Sequence, residues 1–166
     1  HHVKLVINAS AIGIYGNTGD MIMNEGSPLA SDFLGKTCQR WELAAKQFES
    51  LNIRTVILRI GLVLSDEGGM LKEIMKPLKF GIAPVFGNGL QYQSWIHIDD
   101  LCKIISKVIK DEKLKGVYNA VAPQPISNYN FMKLLGQVSG KGSFMIKVPS
   151  ILMRLLLGEL AAVVIE

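Results

Sequence analysis

The stretch LVINASAIGIYGN, residues 5 to 17, places a serine and a tyrosine at the end of an apolar run. A serine hydroxyl in such a place can hydrogen-bond a substrate carbonyl or hydroxyl, and a tyrosine can pass a proton to or from it. Around Ser10 the side chains turn small, with Ala9, Ala11, Gly13 and Gly16. Small residues let a flat ring approach the backbone. The plainer alternative is that Ser10 caps a loop and Tyr15 simply packs. Arg59, in LRIG at the end of a second apolar run, is either the ion-pair partner of a nearby helix or a ligand contact.

Other chemically capable residues read more simply. His97, Asp99 and Asp100 form an H-x-D-D pattern that fits a strand-to-helix junction, with Asp99 capping the helix and His97 supporting the loop. Tyr129 and Lys133 have the Tyr-x-x-x-Lys spacing of a proton relay, but far along the chain from Ser10, and are read as a chance match. Cys38 and Cys102 make neither a disulfide framework nor a metal site, and no metal is expected. They read as buried thiols of a reducing, cytoplasmic compartment. Trp41 reads as a core residue and Trp95 as a pocket wall.

The elements that must position these groups follow from periodicity. Residues 3–9 and 52–65 are apolar, β-branched runs of the kind covered on both faces in a parallel sheet. GVYNAVA is a third such run, and SWIHI and SFMIKV are shorter ones. Between them lie helical patterns. One follows Ser31 or Asp32 as cap, with Cys38, Trp41, Ala45, Phe48 and Leu51 as its apolar face. Others span 70–80, begin at Asp99 and at Ser127–Asn128, and follow Pro149. PVFGNG is a turn. Strands alternating with helices predict an α/β fold with a parallel sheet, and a small appended lobe after residue 121.

Composition narrows the classes. At 166 residues, 49% hydrophobic, the chain can bury a core and is not disordered. The net charge of +4 comes from scattered lysines, with no reading motif for nucleic acid. No apolar run is long enough to span a membrane: PSILMRLLLGELAAVVIE is broken by Arg154 and Glu159 and reads as a buried or interface helix pair. The opening HHVK looks like the remnant of a purification tag, and the abrupt ends read as those of a piece of a longer protein.

Taken in order, NASAIGIYG, DFLGKTCQRWELAA, LRIGLVLSDEGGML, FGNGLQYQSWIHIDDL and YNAVAPQPISNYNF resemble the extended short-chain dehydrogenase/reductases, the nicotinamide-dependent epimerase/dehydratase group. More narrowly, they resemble its "epimerase family protein" branch, which carries its own small C-terminal domain. The resemblance covers residues 3–166. It implies the C-terminal half of a Rossmann-like, doubly wound parallel sheet: residues 3–121 as the second half of an NAD(P)-binding domain and 122–166 as part of a substrate-side lobe. The N-terminal glycine-rich half that cradles the pyrophosphate is absent; Gly87-Asn88-Gly89 does not supply it.

The resemblance further implies NADP or NAD as cofactor, lined by Asn8, Ala9, Ser10, Ala11, Arg59, Gly61, Leu62 and Val63. Ser10 and Tyr15 would face a small-molecule substrate such as a sugar nucleotide. Reductases of this superfamily pair a helix tyrosine with a lysine one turn on, which lowers the tyrosine's pKa. Here Cys38 and Glu42 stand in those places, and a carboxylate neighbour raises a thiol's pKa. Two functions stay open: an NAD(P)-dependent epimerase-like oxidoreductase, with Tyr15 as stand-in acid, and a non-catalytic dinucleotide-binding regulator or redox sensor. An unpaired sheet edge invites a homodimer.

Overall fold

The structure, a computed structural model, describes residues 3–140, 143–151 and 155. In chain order its elements are β1 (Leu5–Ala11), α1 (Phe33–Lys46), β2 (Arg54–Ile60), β3 (Leu62–Leu64), α2 (Gly69–Leu78), β4 (Ile82–Phe86), β5 (Tyr92–Gln93), β6 (Trp95–His97), α3 (Ile98–Lys110), β7 (Gly116–Ala120), β8 (Ile126–Ser127), α4 (Asn128–Val138) and β9 (Phe144–Val148). A 3₁₀ turn, Ile12–Tyr15, follows β1 directly. The chain forms two compact units, residues 1–63 with 96–122, and residues 64–95 with 123–166.

The first unit is built on a parallel sheet of order β1–β2–β7. Its middle strand, RTVILRI, is buried at Thr55 through Arg59, as a strand with layers on both faces must be. Alternation sends Val56, Leu58 and Ile60 to one face, where they pack with Leu101, Ile104, Ile105 and Val108 of α3. Arg54 shares that face, and its Nη1 donates to the Val108, Asp111 and Leu114 carbonyls at the end of α3. The odd-numbered residues of β2 turn to the other face, where Arg59 meets Glu42 of α1. Each fully buried Val, Ile or Leu of β2 contributes about 1.5–3 kcal/mol, so this strand carries much of the unit's stability.

Helix α1 starts where the sequence says it should. The Asp32 carboxylate accepts from the Gly35 amide at 2.7 Å, satisfying one of the free donors of the first turn. Its inward face is narrower than expected, however. Gly35, Cys38, Glu42 and Ala45 are buried, whereas Trp41 is 53% exposed and Phe48 and Leu51 are also exposed. The expected core role of Trp41 is therefore corrected: a carboxylate, not an indole, takes the inward position, because Arg59 waits for it there.

In the second unit, α2 and α4 pack Ile74, Leu78, Phe131 and Met132 around Ala83 and Val85 of β4. β4 pairs in parallel with β9, Ile82 opposite Phe144 through Phe86 opposite Val148. β5 and β8 form a short antiparallel pair, and Ser127 caps α4 by accepting from the Asn130 amide. The 52–65 strand is broken at Gly61, whose amide donates to the Ala120 carbonyl. α3 begins at Ile98 with His97, not Asp99, as its cap: His97 Nδ1 accepts from the Asp99 amide at 3.2 Å. Asp99 and Asp100 lie inside the first turn, where their charge still favours the helix's positive end. Apart from Ser150, Ile151 and Leu155, the expected helix pair after Pro149 lies outside the described residues.

Candidate functional site

The register of the sheet sets one polar row across three strands. Ser10 of β1 lies opposite Arg59 of β2, and Arg59 lies opposite Asn119 of β7, each one position before its strand ends. Side chains in register on parallel strands share a face, here the face of α1. Ligands of doubly wound sheets bind outside these carboxyl ends. The row is therefore in the right place for function.

The row is also saturated. Arg59 Nε donates to Glu42 Oε1 at 2.8 Å and Nη2 to Glu42 Oε2 at 2.9 Å, a forked pair. The Ser10 hydroxyl donates to the same Glu42 Oε1 at 2.9 Å. Arg59 Nη1 donates to the Tyr15 hydroxyl at 2.8 Å, and that hydroxyl donates to Asn119 Oδ1 at 2.7 Å. The guanidinium also lies 5.1 Å from the centre of the Tyr15 ring. Ser10, Tyr15, Glu42 and Arg59 are each less than 8% exposed.

Two charges this deeply buried are tolerated because they satisfy one another. Burial pushes the Glu42 carboxyl up, but its hydrogen bonds from Arg59 and Ser10 and the Arg59 and Lys46 charges pull it further down, below the ordinary glutamate value. The Glu42 hydrogen bonds raise Arg59 well above its ordinary value, against the opposing effect of burial. The Cys38 thiol is raised mainly by burial, with the Glu42 and Asp32 charges adding to it and the Ala11 backbone opposing. That matches the expectation that Glu42 makes Cys38 a poorer acid.

The sequence candidates thus divide. Ser10, Tyr15 and Arg59 come together in one network, but the Ser10 and Tyr15 hydroxyls are joined through Glu42 and Arg59. Of the two roles open to Arg59, the ion pair with a nearby helix is the one observed. Ala11 packs with Ile14, Tyr15 and Cys38, Ala9 is exposed, and Val63 packs against the sheet core. Leu62 opens β3 and is half-buried, as is Gly61. Asn8 shares the face of Ser10, and its Nδ2 is a buried donor with no hydrogen-bond partner among the described residues.

Elsewhere the roles are plainer. Tyr129 and Lys133 sit on α4 in the second unit, beside a cavity of about 270 Å³, and belong to a different unit from Ser10. Trp95 is half-buried, with Nε1 donating to the Gln124 carbonyl at 3.1 Å. Cys38 is buried as expected, but Cys102 is exposed, because α3 turns its inward face to Leu101 and Val108. Among the described residues no three metal-ligating side chains gather, and no helix is long and apolar enough to cross a membrane. Sequence reasoning missed Asn119 and Glu25 in this network. Asn119 could have been found from its polar side chain inside the apolar run GVYNAVA.

No protein-family model matches the chain. An epimerase family protein of Mycobacterium leprae is 35% identical over 159 residues, which cover 96% of this chain and 52% of that protein. This chain is a homologue of the epimerase family proteins. It matches their C-terminal part and spans about half the length of the curated relatives it matches. The crystal structure of human epimerase family protein SDR39U1 with NADPH superimposes with a TM-score of 0.88 at 28% identity, covering 98% of this chain and 55% of that one. A nucleoside-diphosphate sugar epimerase from Corynebacterium glutamicum gives a TM-score of 0.72 at 35% identity, over 97% and 36% of the two chains. The α/β fold with a parallel sheet, expected from the sequence, is that of these Rossmann-type epimerase structures.

Proposed function

We propose that this chain is part of an NAD(P)-dependent, epimerase-like oxidoreductase that acts on a small molecule such as a sugar nucleotide. The observation that carries the reading is the close superposition on a relative crystallised with NADPH. In this reading residues 3–121 contribute the second half of the dinucleotide-binding domain and residues 122–166 part of a substrate-side lobe.

The residues present fit such a cofactor. The orphaned Nδ2 of Asn8 needs an acceptor, and the small side chains of Ala9 and Ala11 leave room beside the backbone. Asn8, Ala9, Ser10, Ala11 and Gly61, with Leu62 and Val63, would hold the nicotinamide end. When bound there, a nicotinamide would accept hydride in its oxidised form or donate it in its reduced form. In this reading Tyr15 Oη, which accepts from Arg59 Nη1 and donates to Asn119 Oδ1, would turn its proton to the substrate oxygen. Ser10, fixed by Glu42, would orient the substrate oxygen.

Fluorescence titration of NADPH, then NADH, into the full-length protein tests the reading. Saturable binding supports it and justifies screening sugar nucleotides and carbonyl compounds; no binding of either overturns it. A second reading, dinucleotide binding without catalysis, is favoured by one specific observation: the Ser10 and Tyr15 hydroxyls are both buried and each already donates its proton within the network. Binding without turnover, in full-length protein whose Ser10→Ala and Tyr15→Phe variants bind cofactor unchanged, supports that second reading.

A further inference from the structure

Glu25 lies in the loop between the 3₁₀ turn and α1. The ends of that loop are held together, with the Ala30 amide donating to the Ile14 carbonyl at 2.9 Å. Gly35 approaches Ala30 so closely that a Cβ there would lie 2.6 Å from the Ala30 carbonyl oxygen. Two hydrogen bonds then tie the middle of the loop to the sheet, and Glu25 makes both. Its Oε1 accepts from the Asn119 amide at 2.7 Å, and its carbonyl accepts from Arg59 Nη1 at 3.2 Å.

That placement is unusual for a loop glutamate. Asn119 is one residue from the carboxyl end of β7, an outer strand of the sheet among the described residues, and its amide is not spent on β2. A main-chain N–H left over from the sheet ladder, at the carboxyl end of parallel strands, is a place that can receive an anion. The Glu25 carboxylate fills it as a ligand would. The Asn119 amide, and then its own amide, hold its carboxyl below the ordinary glutamate value; burial opposes this, and the Arg59 charge adds to it. Glu42 faces the far side of Arg59 and keeps that guanidinium fixed. Yet Glu25 itself is exposed, so its carboxylate can be exchanged for another without opening the core.

We propose that Glu25 is the built-in occupant of a carboxylate subsite whose donor is the Asn119 main-chain N–H, with Arg59 holding the Glu25 main-chain carbonyl at its edge, and that it keeps the 17–31 loop shut until a carboxylate-bearing small molecule takes its place. Arg59 Nη1 donates both to the Glu25 carbonyl and to the Tyr15 hydroxyl, so release of the loop would free a donor beside that hydroxyl. The inference does not depend on NAD(P) binding, and its test uses no dinucleotide.

The test is chemical rescue in the ¹⁵N-labelled full chain. Propionate, the free counterpart of a glutamate side chain, is titrated into wild type, Glu25→Ala and Glu25→Gln while the Asn119 amide resonance is followed. In Glu25→Ala that resonance moves saturably, at a concentration at least about tenfold below any shift in wild type, whose own carboxylate competes. Glu25→Gln keeps an oxygen for Asn119 but not the charge, and falls between the two. The Asn119 amide, whose hydrogen-bond acceptor is the Glu25 carboxylate, loses hydrogen-exchange protection in Glu25→Ala. Neutral propionamide produces no such shift. Equal propionate sensitivity in all three proteins, no shift at Asn119 in Glu25→Ala, or an equal response to propionamide overturns the proposal.

Discussion

The Arg59 guanidinium grips the Glu42 carboxylate with two parallel hydrogen bonds, of 2.8 and 2.9 Å, and both side chains are 5% exposed. Desolvating two charges costs several kcal/mol per ion, and the pair survives because its geometry is forked and Ser10 supplies a third donor. A helix and the central strand are thereby fastened at the carboxyl ends of the sheet, where α/β proteins bind their ligands.

Removing one partner should therefore be far worse than removing both. Glu42→Ala leaves a buried, uncompensated guanidinium and should cost about 3–5 kcal/mol, whereas the apolar pair Glu42→Leu with Arg59→Met should recover most of that loss. Urea unfolding of the two variants beside wild type measures the difference. Equal losses in both would show that the charge is not what makes the single variant unstable.

The same pair sets a pH dependence. The Glu42 carboxyl titrates below its unfolded value in the folded chain. Its contribution is present above the unfolded glutamate value and is lost as pH falls through the lower, folded one. The stability gap between wild type and Glu42→Gln should be widest near neutrality and close on acidification below the ordinary glutamate range. Urea midpoints of both proteins across an acid pH series check this. A gap that widens in acid would mean that the sign is wrong.

Tyr15→Phe removes the hydroxyl that accepts from Arg59 and donates to Asn119. It leaves Asn119 Oδ1 without that donor and should cost about 1–3 kcal/mol. In full-length protein NAD(P)H affinity should be retained. Turnover of any substrate found should fall about 10²-fold or more if Tyr15 moves the proton. Unchanged turnover would leave Tyr15 a purely structural member of the network.

The two thiols should separate cleanly. Cys102 is exposed, while Cys38 is buried with its thiol raised mainly by burial. A disulfide reagent at neutral pH should modify one cysteine rapidly and the second only on unfolding, and peptide mapping should find the first label on Cys102. Rapid labelling of Cys38 would mean that the contact between α1 and the 3₁₀ turn opens readily.

What the sequence made legible was what neighbouring residues decide. The apolar runs at 5–11 and 54–60 and the Asp32 cap are local, and each appears close to where periodicity and capping chemistry place it. Trp41 and Glu42 show the limit. By type alone the tryptophan belongs inside and the glutamate outside, but a partner on the central strand reverses the order. The burial of that glutamate is a tertiary fact. The same holds for Glu25, whose partner Asn119 lies 94 residues away. His97 displaced Asp99 as the cap of α3 for a smaller reason: the helix begins one residue earlier, so the ring nitrogen reaches the amide first.

The pairing of β4 with β9 reaches from Ile82 to Phe144, and the chain returns to the first unit between them. The two units are therefore threaded through each other in sequence, and no single cut separates them. A protease nick near residue 64 would free no intact piece, and a truncation after residue 122 would strip β4 of its parallel partner while leaving the central sheet whole. Synthesised from its amino end, the chain can complete β1, β2 and β7 before β9 exists. Within the second unit β5 can pair with β8 first, but β4 must wait without its parallel partner until Phe144–Val148 arrives.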